Sequence, residues 1–367
     1  MTSRQLTKNF FYLFLSNVIG QAFTLWAFVY MAHVLGPEGF GKFSFAQVTS
    51  LYFLYLADFG LQTLGTRAIA QTSLDIKRLV AEVSLLRLAT AIVAVLLLGL
   101  FVIWLPKPPE TKFLILVFGA AILPSAILLE WVFQGLERME IVALGRILRG
   151  AVFAVLVLAF VSSPHDLYLA AAFYVLGIVA AVVVLLLWFT FLREKGSFRF
   201  VYADLTGLLR SAIPLAVGSF ITQVNYNFGT FALGLFLSDN DVGIFSAAHK
   251  IILFLWAFVV VAASNAILPL LSRLHGQSGE RFIEVAAKLY RLFLFFAVPM
   301  GFGGLVLAKD IIGFLYPSTY QPAALVLQIG IWVVALVIMR VVFENVLVAA
   351  AQERDYFRGY VIAGLAT

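Results

Sequence analysis

The residues with chemistry to offer are charges and amides set inside apolar runs. Arg146 and Arg149 stand three apart in the run at 141–161. A helix would place both on one face, roughly 8 and 12 Å from its start at about 1.5 Å per residue. Two guanidinium forks on one face suit a phosphate or pyrophosphate, whose oxygens they bind bidentately. The competing reading is that both snorkel to the nearer end of the helix. Lys250 lies beside His249, seven residues into the run at 243–270, from where it can reach an anion or snorkel outward. Arg340 and Glu344 are four apart in the run at 323–350, which makes an i,i+4 ion pair or a pair of lumen charges. Asp58 lies in the run at 43–65, roughly 12 Å from the end of that helix at Thr66. It can neutralise Arg67 or an arginine of the 141–161 run, or serve as a protonatable coupling site. Asn225 and Asn227 in the run at 208–237 are amides that bond between helices or reach a ligand. Arg146, Arg149, Lys250, Arg340 and Asn225 are therefore the candidate substrate-binding residues. Asp58, Arg67 and Glu344 are the candidate coupling or structural ion-pair residues, while Glu130 and Arg87 read as lying nearer the inner surface, paired or snorkelling.

The composition decides what holds these residues. Hydrophobic residues make up 63% of the 367 and charged residues 12%, about half the charged share of soluble proteins. The chain is read as an all-α, polytopic membrane protein. There is no cysteine, and four scattered histidines give no metal-ligand spacing, so neither thiol chemistry nor a metal site is expected. No phosphate-loop motif occurs, so the chain is not expected to hydrolyse ATP, and no cofactor or nucleic-acid partner is expected.

Apolar runs fall at about 10–34, 43–65, 82–105, 113–135, 141–161, 167–192, 208–237, 243–270, 285–308 and 323–350, which predicts ten complete transmembrane helices. An eleventh begins near Tyr356 and has about twelve residues by Thr367, where a span needs about twenty. It reads as a truncated helix or, alternatively, as an interfacial one. With Arg4 and Lys8 inside, alternation puts Arg67, Lys77, Arg78, Arg138 and Arg193 inside too, which orients the N-terminus to the cytoplasm. Pro124, Pro214 and Pro299 each remove a backbone donor and are candidate kinks.

A shift of 202 residues pairs LGPEGFGKFSFAQ with LSDNDVGIFSAAH, matching Gly41 with Gly243, Phe43 with Phe245, Ser44 with Ser246 and Gln21 with Gln223. The predicted architecture is two pseudo-symmetric bundles: a six-helix bundle at 1–192, a cytoplasmic linker at 193–207 and an incomplete second bundle at 208–367. Parallel repeats of this kind occur in transporters.

The G-P-E-G-F-G pattern from Gly36 to Gly41, A-D-F-G from Ala57 to Gly60 and Thr66-Arg67 resemble the polysaccharide-export branch of the multidrug/oligosaccharidyl-lipid/polysaccharide exporter superfamily, which includes O-antigen flippases. That resemblance implies a non-enzymatic flippase that carries a polyprenyl-pyrophosphate-linked oligosaccharide across the cytoplasmic membrane by alternating access. Its partners would be the lipid-linked oligosaccharide, membrane lipids and a polysaccharide polymerase. Two alternatives stay within the superfamily, a multidrug or cation antiporter and a lipid II-type flippase. A membrane polymerase or ligase is a third, although the chain has no large outer loop to carry catalytic residues.

Overall fold

A computed structural model describes residues 3–71, 76–191, 205–275 and 279–349. The expected truncated helix from Tyr356 and most of the 193–207 linker lie outside these residues. Among the described residues the chain is helical, without strands. In order the helices are α1 (Ser3–Asp58), α2 (Leu61–Gln71), α3 (Ile76–Trp104), α4 (Pro109–Gly119), α5 (Ile122–Ala126), α6 (Glu130–Gly135), α7 (Met139–Phe160), α8 (Leu167–Phe191), α9 (Leu205–Phe236), α10 (Asp239–His275), α11 (Gly279–Leu315) and α12 (Ala323–Ala349). Single 3-10 turns lie at Pro164–Asp166 and Ser318–Tyr320. Seven helical stretches among the described residues are long and apolar enough to cross a membrane. Their outward faces carry large apolar side chains, such as Trp104 at 80% and Phe314 at 87% exposure, as a lipid-facing surface requires.

Two expected runs are divided, and the two halves of α1 meet at a kink between the runs at 10–34 and 43–65. There Gly36 alone leaves helical geometry (φ 67°, ψ 175°), and the second half of α1 starts at once with Pro37 in its first turn. A left-handed φ costs glycine little, and proline suits the first turn of the resumed helix. The run at 43–65 is no single helix, because Phe59 (φ 49°) and Gly60 (φ 72°) end α1 and restart the chain as α2. The run at 113–135 is divided into α4, α5 and α6, with Pro124 inside the five-residue α5. By contrast, α9 and α11 continue through Pro214 and Pro299.

The chain forms two compact units, Met1–Ser246 and Ala247–Thr367. In the first, a core of Leu61, Val83, Trp131, Phe133, Val142 and Leu185 joins α2, α3, α6, α7 and α8. Trp131 fits there because Gly65 faces it, and a Cβ on that glycine would lie 2.5 Å from the indole. A second cluster is aromatic: Phe28, Phe43, Phe118, Phe153 and Tyr174 meet edge to face, with centroids between 4.9 Å for Phe43–Phe118 and 6.1 Å for Phe28–Phe43. In the second unit, α11 packs along α12 through Ala297, Val334, Ala335 and Ile338, and the Tyr316 hydroxyl donates to the Ala247 carbonyl at 3.1 Å.

Candidate functional site

The helix breaks of the first unit surround a polar cavity of about 500 Å³. The half of α1 before Gly36 contributes Ser16, Asn17, Gln21 and Thr24, which recur at helical spacing on one face. The half after it contributes Tyr55 and Asp58. Arg87 comes from α3, Ser125 and Leu128 from the broken stretch, Glu130 from the start of α6, Arg146 and Arg149 from α7, and Tyr174 from α8.

Its charges are mostly used up internally. The Arg87 guanidinium, 4% exposed, lies 3.3 Å from the Asp58 carboxylate. It also donates to the carbonyls of Leu128 and Ser125, each at 2.9 Å. The Leu128 carbonyl is freed where the chain breaks between α5 and α6, and that of Ser125 also takes the Leu128 N–H at 3.3 Å, so one side chain braces the break and neutralises the acid. Glu130, the first residue of α6, is ion-paired with Arg146. Two such pairs lower the cost of placing four charges in the membrane interior.

Arg149 stands apart. It lines the cavity exposed, with no ion pair or side-chain hydrogen bond among the described residues, and Tyr55 and Tyr174 belong to the same lining. Its backbone position is fixed by close helix contacts. A Cβ on Gly150 would lie 2.6 Å from the Gly20 carbonyl of α1, and one on Gly177 would lie 2.7 Å from the Arg149 carbonyl. With three arginines against two acids in the lining, the cavity carries a surplus positive charge.

Asp58, Arg146 and Arg149 all line this cavity, but Asp58 is paired with Arg87 and not with an arginine of the 141–161 run. Arg67 is not with them: it is exposed on α2, and Asp58 pairs with Arg87 because the break at Phe59–Gly60 sends α2 off on a new path. Arg87 and Glu130 do not snorkel, since both are buried in pairs. Asn225 is exposed on α9, Lys250 and Arg340 belong to the second unit, and none of the three lines this cavity. The Glu344 side chain lies outside the described residues. Asn17 is not among the candidates that the sequence suggests and Gln21 figures there only as the repeat partner of Gln223, although Ser16, Asn17, Gln21 and Thr24 form a polar stripe in an otherwise apolar run.

A set of apolar helices around a charge-lined cavity defines the class, a polytopic membrane transporter. The chain belongs to the family of polysaccharide biosynthesis proteins, which matches residues 6–275. It is similar to a protein of Shigella dysenteriae named as an O-antigen transporter, 23% identical over 294 residues, or 78% of this chain and 73% of that one. It is also similar to a protein so named in Escherichia coli strain K12, 29% identical over 188 residues, with 49% of this chain matched and only 45% of the relative's length spanned. Its fold is that of the lipid II flippase MurJ in an inward closed conformation (TM-score 0.76, 14% identity, 97% of this chain and 78% of that one). An inward-facing multidrug resistance transporter of the MATE family shares it (TM-score 0.66, 14% identity, 93% and 82% covered).

Proposed function

We propose that the chain is a flippase that moves a polyprenyl-pyrophosphate-linked oligosaccharide across the cytoplasmic membrane for cell-surface polysaccharide export. The observation that carries this reading is Arg149. In a cavity whose other charges are paired, one guanidinium is left for an incoming anion, and it forms charge-assisted bonds to phosphate oxygens. Arg146 adds to the field while it holds Glu130. The named relatives fit this substrate class, and the surplus positive charge disfavours the organic cations of a multidrug antiporter.

The Arg149→Ala variant, reconstituted at wild-type level into vesicles holding the lipid-linked oligosaccharide, should lose translocation by roughly tenfold or more, as expected for a charged hydrogen bond worth about 1.5 to 3 kcal/mol. Arg149→Lys should keep part of it. Full activity in Arg149→Ala, or efflux of cationic dyes that persists in it, would count against the reading.

The same proposal includes ten spans arranged as repeats at 1–192 and 208–367, an N-terminus in the cytoplasm and a polymerase that consumes the exported unit. Support for the span count comes from the bend at Gly36, which divides the 61-residue stretch Phe11–Gln71, and from α9 and α10, 32 and 37 residues long. Support for the repeat comes from reciprocal contacts of residues 202 apart. A Cβ on Gly41 would meet the Asp239 carbonyl, and one on Gly243 would meet the carbonyl of Pro37.

A further inference from the structure

We propose that Asn17 and Gln21 form a sugar-reading subsite beside Arg149, which recognises the uncharged hydroxyl and acetamido groups of the sugar next to the pyrophosphate; this rests on the flippase reading above. Both amides line the cavity, Asn17 half-buried and Gln21 exposed, and neither is hydrogen-bonded to protein among the described residues. They are four residues apart on α1, so a helix stacks them on one face. Gly20, between them, holds that face against α7: a Cβ there would lie 3.1 Å from the Arg146 carbonyl, while one on Gly150 would lie 2.6 Å from the Gly20 carbonyl. The turn of α1 bearing the amides therefore borders the turn of α7 bearing Arg146 and Arg149.

The division of labour follows from chemistry. A guanidinium is a donor only and carries the charge that draws the pyrophosphate, whereas each amide offers two donors and an acceptor without charge. Amides match a sugar, whose hydroxyls both donate and accept, and they add nothing to the long-range pull on phosphate. The other hydroxyls of the same α1 face are already engaged, Ser16 with the Leu13 carbonyl at 3.0 Å and Thr24 with that of Gly20 at 2.8 Å. Tyr55 and Tyr174 line the same cavity.

The test uses two soluble-tailed probes with the purified full chain in nanodiscs: farnesyl pyrophosphate, and farnesyl pyrophosphate bearing one N-acetylglucosamine. Wild type should bind the sugar-bearing probe more tightly. The Asn17→Ala/Gln21→Ala variant should weaken binding of that probe by roughly tenfold, about 1.4 kcal/mol, with farnesyl pyrophosphate binding unchanged, which also reports that the variant is folded. The single variant Gln21→Ala should show an intermediate loss. Arg149→Ala should weaken both probes alike. Equal binding of the two probes by wild type, or a double variant that binds both as wild type does or loses both equally, would overturn the subsite and leave the flippase reading standing. If wild type bound neither probe, the flippase reading itself would fall, and the subsite with it.

Discussion

At the scale of single residues, the cavity is governed by which charges are partnered. Removing one member of a buried pair leaves the other uncompensated, at a cost of about 3 to 5 kcal/mol, whereas replacing both with apolar groups is often neutral. Asp58→Asn should therefore lower the thermal stability of the purified protein strongly, and Asp58→Leu/Arg87→Met should recover much of the loss. Recovery will be incomplete, because Arg87 also serves the carbonyls of Leu128 and Ser125. Glu130 gives an opposite kind of expectation. Glu130→Gln releases Arg146 from its ion pair and raises the net positive charge of the lining. Inorganic pyrophosphate should then bind more tightly by isothermal titration calorimetry. Weaker binding would mean that the Glu130–Arg146 pair shapes the anion site rather than merely neutralising it.

At the scale of helices, glycines set how closely α1 approaches its neighbours. The Gly20–Gly150 approach fixes the spacing of the amide face and the arginine face, and it leaves no room for a methyl group. Gly150→Ala should force α1 and α7 apart at an overpacking cost of about 1 to 3 kcal/mol, seen as a lower melting temperature together with weaker anion binding. The contact of Gly41 with Asp239 is closer still, since a Cβ on Gly41 would overlap that carbonyl. Here backbone meets backbone and no flexible side chain can yield. Near it, Lys42 bridges Glu38 at 2.9 Å and Glu110 at 3.6 Å, tying the bend of α1 to α4. Gly41→Ala should disrupt this end of the unit, and cysteines placed at Ser44 and Ser246, both buried in the wild type, should become reactive to a water-soluble maleimide. Continued protection would show that the helices tolerate the methyl by shifting together.

At the scale of the molecule, a headgroup with about two negative charges that leaves a cytoplasm at about −100 mV gains roughly 4.6 kcal/mol, at about 2.3 kcal/mol per charge. Flux out of vesicles should rise when an inside-negative potential is clamped and fall when it is reversed. Flux indifferent to both the potential and a pH gradient would sink this account of the driving force.

The amino-acid sequence alone determined that the chain lives in a membrane, because its apolar runs and sparse charges admit no soluble fold. It also set the helix face shared by Arg146 and Arg149, a matter of local periodicity, and the family, through the pattern from Gly36 to Arg67. It did not reveal the breaks at Phe59–Gly60 and between α4, α5 and α6, since hydropathy adds up over a window and scarcely registers a freed carbonyl. Only the tertiary structure decided which charges cancel. Arg87 of α3 meets Asp58 at the end of α1, and Glu130 meets Arg146 across the short connection from α6 to α7. Pairing energy depends on distance in space and on exclusion of water, and neither quantity is written in residue order. For that reason Arg149 emerged as the unpaired cation of the cavity only when its neighbours had been placed.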